Sequence, residues 1–96
     1  MWRLAALLGL LGSPIMADTI NANQAGCASR QALDEMRTAA SNNDLRQINF
    51  LLNNQFCFAI GGREFSMVEL GLSVSKVRVY AGSESALLYV VTAATR

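Results

Sequence analysis

The spacing of apolar residues is helical in the first half of the chain and alternating in the second half. Ser29 can cap a helix that begins near Arg30, and the apolar residues that follow recur at intervals of three and four. They are Ala32, Leu33, Met36, Ala39 and Ala40. Residues 41–43 predict a break and the cap of the next helix. Asp44 then suits the positive end of a second helix, for which Asn53-Asn54 is a left-handed stop.

From Phe56 onward the apolar positions alternate, which is typical of strands. Residues 56–60 predict a first strand, and Gly61-Gly62 predicts a tight hairpin turn, because both glycines tolerate positive φ. A second strand is predicted from Phe65 to about Leu70. Residues 74–80 and 87–91 predict two further strands, the last of which is apolar on both faces and therefore central.

One segment has two interpretations. Ser66 and Glu69 have the spacing of a helix capping box, so residues 64–71 could form a short helix. Gly71 would end that helix almost at once, which favours a strand that ends in a turn or bulge. The predicted fold class is α+β, with two short N-terminal helices packed on a small antiparallel sheet of three or four strands.

Residues 1–17 have the pattern of a secretory signal peptide. A basic residue precedes an apolar run over residues 4–11, and Gly12-Ser13-Pro14 ends that run. The run is shorter than the roughly 20 apolar residues that span a bilayer. We therefore expect export to the periplasm or the medium, cleavage between residues 17 and 22, and no stable membrane anchor in the mature protein.

After the signal, residues 18–27 are polar and without a period, so they predict a flexible mature N-terminus. Residues 28–96 then form a single α+β domain. The two cysteines, Cys27 and Cys57, are expected to pair in an oxidising compartment. Such a bridge closes a loop of about 31 residues, which corresponds to about 3.5 kcal/mol of stability in the chain-entropy model.

The composition excludes several kinds of chemistry. The chain has no histidine and only two cysteines, so the commonest general base and the usual metal clusters are missing. Asp34 and Glu35 are adjacent on a helix and point about 100° apart, so they cannot share a substrate. The serines have no base to activate them. We therefore expect no catalytic residue, no cofactor and no bound metal.

The net charge of the chain limits the class of partner. The chain has eight basic and seven acidic residues, and loss of Arg3 with the signal leaves a neutral protein. Such a balance disfavours binding to nucleic acid. Lys76 and Arg78 share one strand face, with Arg63 in the preceding turn. These three cations are the candidate partner-binding residues, and the alternative is a solvated outer face.

The strand-forming runs over residues 57–70, 74–80 and 87–91 have a hydrophobic rhythm that resembles the SH3-like β-barrels of small bacterial exported proteins. The resemblance implies a small, curled antiparallel sheet, and it assigns no ligand residue. Together these features favour a non-catalytic exported binding or accessory protein with a protein partner that the sequence does not identify. The alternative is a protein inhibitor or immunity-type antidote, with an exposed loop such as Gly82–Ser85 or Gly61–Arg63 entering an enzyme cleft.

Overall fold

The computed structural model describes residues 18–96, so the predicted signal peptide over residues 1–17 lies outside the described residues. In chain order the elements are β1 (Asp18–Thr19), β2 (Ala25–Cys27), α1 (Arg30–Ser41), α2 (Leu45–Asn53), β3 (Cys57–Ala59), β4 (Glu64–Glu69), β5 (Val74–Ala81) and β6 (Glu84–Val91). A 3-10 turn, Thr92–Thr95, follows. The protein is therefore α+β, as its periodicity predicts.

The strands form one antiparallel sheet in the order β1-β4-β5-β6-β2-β3, and its end strands β1 and β3 do not pair with each other. The prediction of three or four strands is wrong, because the sheet has six. The two additional strands precede the helices and come from residues 18–27, for which the sequence predicts a flexible terminus. Within this segment Ile20 and Cys27 are buried, so long-range pairing orders a stretch that has no period of its own.

The predicted turn at Gly61-Gly62 is present, since the Arg63 amide donates to the Ile60 carbonyl over 3.0 Å. The predicted hairpin is wrong, because β3 and β4 do not pair with each other. Instead β3 pairs with β2, and β4 pairs with β1 and β5. Residues 18–27 thus run antiparallel to residues 57–65 on both sides of the turn, and the sheet does not close. The SH3-like resemblance stays a prediction.

The ambiguous segment is a strand. β4 covers Glu64–Glu69 and pairs with β5, with a register shift between Met67 and Glu69 that marks a β-bulge. The strand ending in a bulge is confirmed, and the short helix is wrong. The bulge turns the end of β4 toward the loop that precedes Val74, which matters for the candidate site.

Two hydrophobic clusters cover the two faces of the sheet. The first lies on one face and contains Ile20, Ile60, Phe65, Val77, Val79, Leu88, Val90 and Ala94. The second lies between the opposite face and the helices and contains Cys27, Ala32, Leu33, Met36, Leu51 and Cys57. Strand β5 shows the division clearly, because Ser75, Val77 and Val79 are buried while the residues between them are partly exposed. The helices therefore cover this second face of the sheet only near Val74 and Tyr89.

The disulfide between Cys27 and Cys57 is confirmed. The two residues lie directly opposite each other in the β2–β3 pair, and both side chains are fully buried in the second cluster. The bridge therefore joins the strand before α1 to the strand after α2, and it closes the helical half of the chain onto the sheet.

The cap of α1 is the predicted Ser29, whereas α2 is capped by Asp44 and not by a residue of the predicted cap at 41–43. The Ser29 hydroxyl accepts a hydrogen bond from the Ala32 amide at the start of α1. The Asp44 carboxylate accepts one from the Gln47 amide at the start of α2. The left-handed stop after α2 falls at Gln55, with φ of 61°, instead of at the predicted Asn53-Asn54.

The Asp44 cap gives a direct test of the helical half. We expect Asp44→Ala to lower the free energy of unfolding by about 1 kcal/mol, because the Gln47 amide loses its side-chain acceptor. In a domain of this size that loss lowers the melting temperature by roughly 4–8 °C in thermal denaturation. Asp34→Ala, at an exposed position inside α1, is the matched control. An equal loss in both variants would contradict the capping role.

Candidate partner-binding surface

The most exposed apolar side chains of the described residues belong to the loop between β4 and β5. Leu72 is 100% exposed and Leu70 is 71% exposed. We call residues 70–73 the leucine loop. Fully burying a leucine side chain is worth about 1.5–3 kcal/mol, and these two side chains forgo most of that gain. Two neighbouring leucines in solvent form an apolar surface that a partner could cover.

The leucine loop is fixed by a buried hydroxyl pair. The Gly71 amide donates to Ser75 Oγ over 3.1 Å, and Thr92 Oγ1 donates to the Gly71 carbonyl over 2.9 Å. The two hydroxyl oxygens lie 2.7 Å apart and are almost fully buried. Because the single Thr92 hydroxyl proton goes to Gly71, Ser75 must be the donor to Thr92. Both backbone polar groups of Gly71 are thereby satisfied, and the loop has one defined position.

Glycine is required at this point for space. A Cβ atom built on Gly71 would lie 2.0 Å from the Val74 carbonyl oxygen, which belongs to the backbone and cannot rotate away. The close approach lets the chain turn sharply from the bulge of β4 into β5. It also directs Leu70 and Leu72 away from the sheet.

Two cations and an aromatic ring lie next to the leucine loop. The guanidinium carbon of Arg30 is 5.9 Å from the centroid of the Tyr89 ring, and Lys76 Nζ is 5.6 Å from the same centroid. Lys76 and Tyr89 are directly opposite each other on β5 and β6, while Arg30 is the first residue of α1. Each cation–π contact at a partly exposed site is worth about 0.5–1 kcal/mol, so the ring positions both charges.

The leucine loop and this cluster line one cleft of about 420 Å³. Its lining residues are Arg30, Glu69, Leu70, Gly71, Leu72, Ser73, Val74, Lys76 and Tyr89. We call this set the loop cleft. Its lining combines apolar side chains with two positive charges and one carboxylate. Such a mixture suits a partner segment that carries a carboxylate beside an aliphatic side chain.

The three cations predicted from sequence are not all brought together. Lys76 lies in the loop cleft, and Arg78 is two residues further on the same face of β5, where it donates to Ser85 Oγ over 3.3 Å. Arg63 lies in the turn before β4 and lines a different cleft together with Phe58. Lys76 and Arg78 therefore belong to one surface, and Arg63 belongs to another.

The sequence prediction missed the leucine loop, Arg30 and Tyr89. One signal was available. Ser75 occupies an inward position in the alternation Ser75, Val77, Val79, where a hydroxyl needs a buried partner. The exposure of Leu70 and Leu72 has no such signal, because it depends on the path of the chain around Gly71.

Two further features of residues 18–96 concern metal binding and membrane crossing. No group of three His, Cys, Asp or Glu side chains among them could hold a metal ion. No helix in this part of the chain has both the length and the apolar character needed to cross a membrane.

Comparison with known proteins gives no match. No family model matches the sequence, and no curated protein or solved structure matches it either. The geometry of the leucine loop and its surroundings is therefore the main indication of function.

Proposed function

We propose that this chain is a non-catalytic exported protein that works by binding a protein partner through the loop cleft. The observation that carries the proposal is the pair of exposed leucines on a loop that buried hydrogen bonds hold in place. A preformed apolar loop loses little conformational entropy when it is covered, so it binds more tightly than a flexible one. The disulfide is consistent with export, because such bonds persist in oxidising compartments.

The chemistry around the leucine loop supports a protein as the partner. Arg30 and Lys76 supply positive charge within reach of the apolar side chains, and Tyr89 orients both. Aromatic and arginine side chains are enriched at the centres of protein interfaces. Arg78 extends the same face and would contribute at the rim, where charges act mainly on the rate of association.

A second candidate function is inhibition of a partner enzyme. The observation that favours it is again the leucine loop, which a hydrogen bond from Thr92 holds in place and in which Leu72 is fully exposed. Inhibitors of this kind present a rigid loop to a cleft. The leucine loop fits this role better than Gly82–Ser85 or Gly61–Arg63, because it alone among these three carries exposed leucines. Loss of a captured enzyme's activity when the protein is added would favour inhibition over an accessory role.

The proposal predicts that binding depends on the two leucines. We expect the double variant Leu70→Ser, Leu72→Ser to bind the partner at least about tenfold more weakly, because two apolar anchors worth more than 1.4 kcal/mol together are lost. Its melting temperature should stay close to that of the unchanged protein, since both side chains are exposed. The measurement is cross-linking capture from the exported fraction of the source organism, followed by titration with the captured protein.

The matched control is Leu45→Ser. Leu45 is 68% exposed on α2, so it removes a leucine of similar exposure outside the loop cleft. The partner should be captured equally by the unchanged protein and by this control. Equal capture by the double leucine variant would overturn the proposed surface.

A further inference from the structure

The β6 strand has an open edge. On one side it pairs with β5 along its whole length, from Glu84 to Val91. On the other side it pairs with β2 at a single position, Tyr89 opposite Cys27, because the chain leaves the sheet for α1 at that point. Within the described residues, positions 84–88 therefore have no strand beside them. Every second residue of this stretch points its backbone N–H and C=O groups outward, which makes the edge a template for another strand.

A second cleft lies beside this edge, over the face of β5 and β6 that carries the first cluster. It has a volume of about 300 Å³, and Phe58 forms part of its wall with 38% of its surface exposed. Its apolar lining includes Phe58, Ile60, Ala86 and Leu88, and its charged members are Arg63 and Glu84. We call it the edge cleft. Since Ala86 and Leu88 both point into it from β6, a strand added to that edge would point its own alternate side chains the same way.

We propose that residues 84–88 form a β-augmentation site, which takes an extended, proline-free segment of a protein partner. Main-chain hydrogen bonds to the edge would supply affinity, and one bulky apolar side chain in the edge cleft would supply specificity. This site is separate from the loop cleft. Residues 84–88 lie at the turn end of the β5–β6 hairpin, whereas the leucine loop precedes Val74 at its other end.

A foreign segment fits the edge better than a second copy of this chain does. Antiparallel pairing of two copies centred on Ala86, the middle of the open stretch, would place Ala86 opposite itself and Glu84 of each copy opposite Leu88 of the other. The centre would then receive only a methyl group, which leaves the edge cleft largely empty. A carboxylate would also be brought against an apolar wall, where it loses solvation.

The test uses a synthetic seven-residue peptide, Thr-Val-Thr-Phe-Thr-Val-Thr, acetylated and amidated at its ends. Titrated into the protein, it should give saturable changes in the amide NMR signals of residues 84–88 and Phe58, with a dissociation constant below about 1 mM. Outward amides of residues 84–88 should also exchange more slowly with solvent when the peptide is bound. Absence of saturable changes at these positions would overturn the proposal.

Two pairs of controls distinguish strand addition from nonspecific peptide binding. Ala86→Phe fills the edge cleft and should weaken binding at least about tenfold, whereas Leu45→Phe adds a ring at an exposed position of α2, outside the edge cleft, and should change it less than about twofold. Of two peptides N-methylated at opposite sets of alternate residues, only one should bind. Signals of residues 84–88 that shift with protein concentration alone, together with a doubled mass, would assign the edge to a second copy and overturn the proposal.

Discussion

Reduction of the Cys27–Cys57 disulfide is expected to lower the free energy of unfolding by about 3.5 kcal/mol. The two cysteines are 30 residues apart in sequence, and the bridge removes the entropy of that loop from the unfolded chain. For a domain of this size the loss corresponds to a fall of roughly 15–25 °C in melting temperature. The measurement is thermal and urea denaturation with and without a reducing agent, after a thiol assay that finds no free thiol in the untreated protein.

The control for this experiment is the double variant Cys27→Ala, Cys57→Ala. It lacks the bridge from the start, so its midpoint should be low and should not respond to the reducing agent. Both cysteines are fully buried beside Leu33 and Leu51, so incomplete reduction must be excluded by counting thiols in the denatured protein. A fully reduced protein that keeps the midpoint of the oxidised one would contradict the stabilising role.

The pairing of the cysteines was predictable from their number and from the export pattern. Cys27 lies just before the first helix and Cys57 lies in the first strand after the helices, as the sequence indicates. The sequence does not show that Cys27 itself belongs to a strand, β2, directly opposite Cys57 on β3. Strand β2 has three residues, too few to show alternation, and it exists only because β3 and β6 pair with it. The local sequence does not show such long-range pairing.

The elements that the sequence predicts have a pattern of their own. Helices α1 and α2 and strand β5 show a period, β6 contains an apolar run, and β3 and β4 lie in the alternation that begins at Phe56, whereas β1 and β2 show neither pattern. The hairpin at Gly61-Gly62 was predicted from turn chemistry, which fixes the turn and leaves the choice of strand partner open. Residues 18–27 compete successfully for that pairing, and Ile20 enters the first cluster as a result.

The candidate site was predicted in part. Lys76 and Arg78 follow from strand alternation, because residues two apart on a strand share a face. Tyr89 and Arg30 come from other elements, and only the pairing of β5 with β6 and the packing of α1 bring them beside Lys76. Exposure of the leucine loop is likewise a property of the folded path.

The two proposed surfaces can be tested independently of each other. The leucine loop joins β5 at Val74, and the open edge begins at Glu84, which is opposite Ala81 at the far end of the same hairpin. Eight strand residues extend over roughly 25 Å, so one partner segment does not block the other. Substitutions at Leu70 or Leu72 should leave peptide binding at the edge unchanged, and Ala86→Phe should leave capture through the loop cleft unchanged.

Gly71→Ala is expected to lower stability and to abolish binding through the leucine loop together. The added Cβ would lie 2.0 Å from the Val74 carbonyl oxygen, so the backbone must move. That movement breaks the hydrogen bonds of Gly71 to Ser75 and Thr92, so the Gly71 amide and the Thr92 hydroxyl proton lose their partners, while the bond between the two hydroxyls remains. Groups of this kind cost about 1–3 kcal/mol each, so we expect the free energy of unfolding to fall by about 2–4 kcal/mol in urea denaturation.

Two further variants show whether the effect depends on the anchored position of the loop. Ser83→Ala changes an exposed residue in the turn between β5 and β6, outside the loop cleft, and should leave both stability and partner capture unchanged. Thr92→Val keeps the buried shape but removes the hydroxyl that donates to Gly71, so it should lower stability by about 1–3 kcal/mol and weaken capture. If Gly71→Ala lowered stability while capture stayed intact, an anchored loop would be unnecessary for binding. The hydroxyl pair would then serve the fold alone.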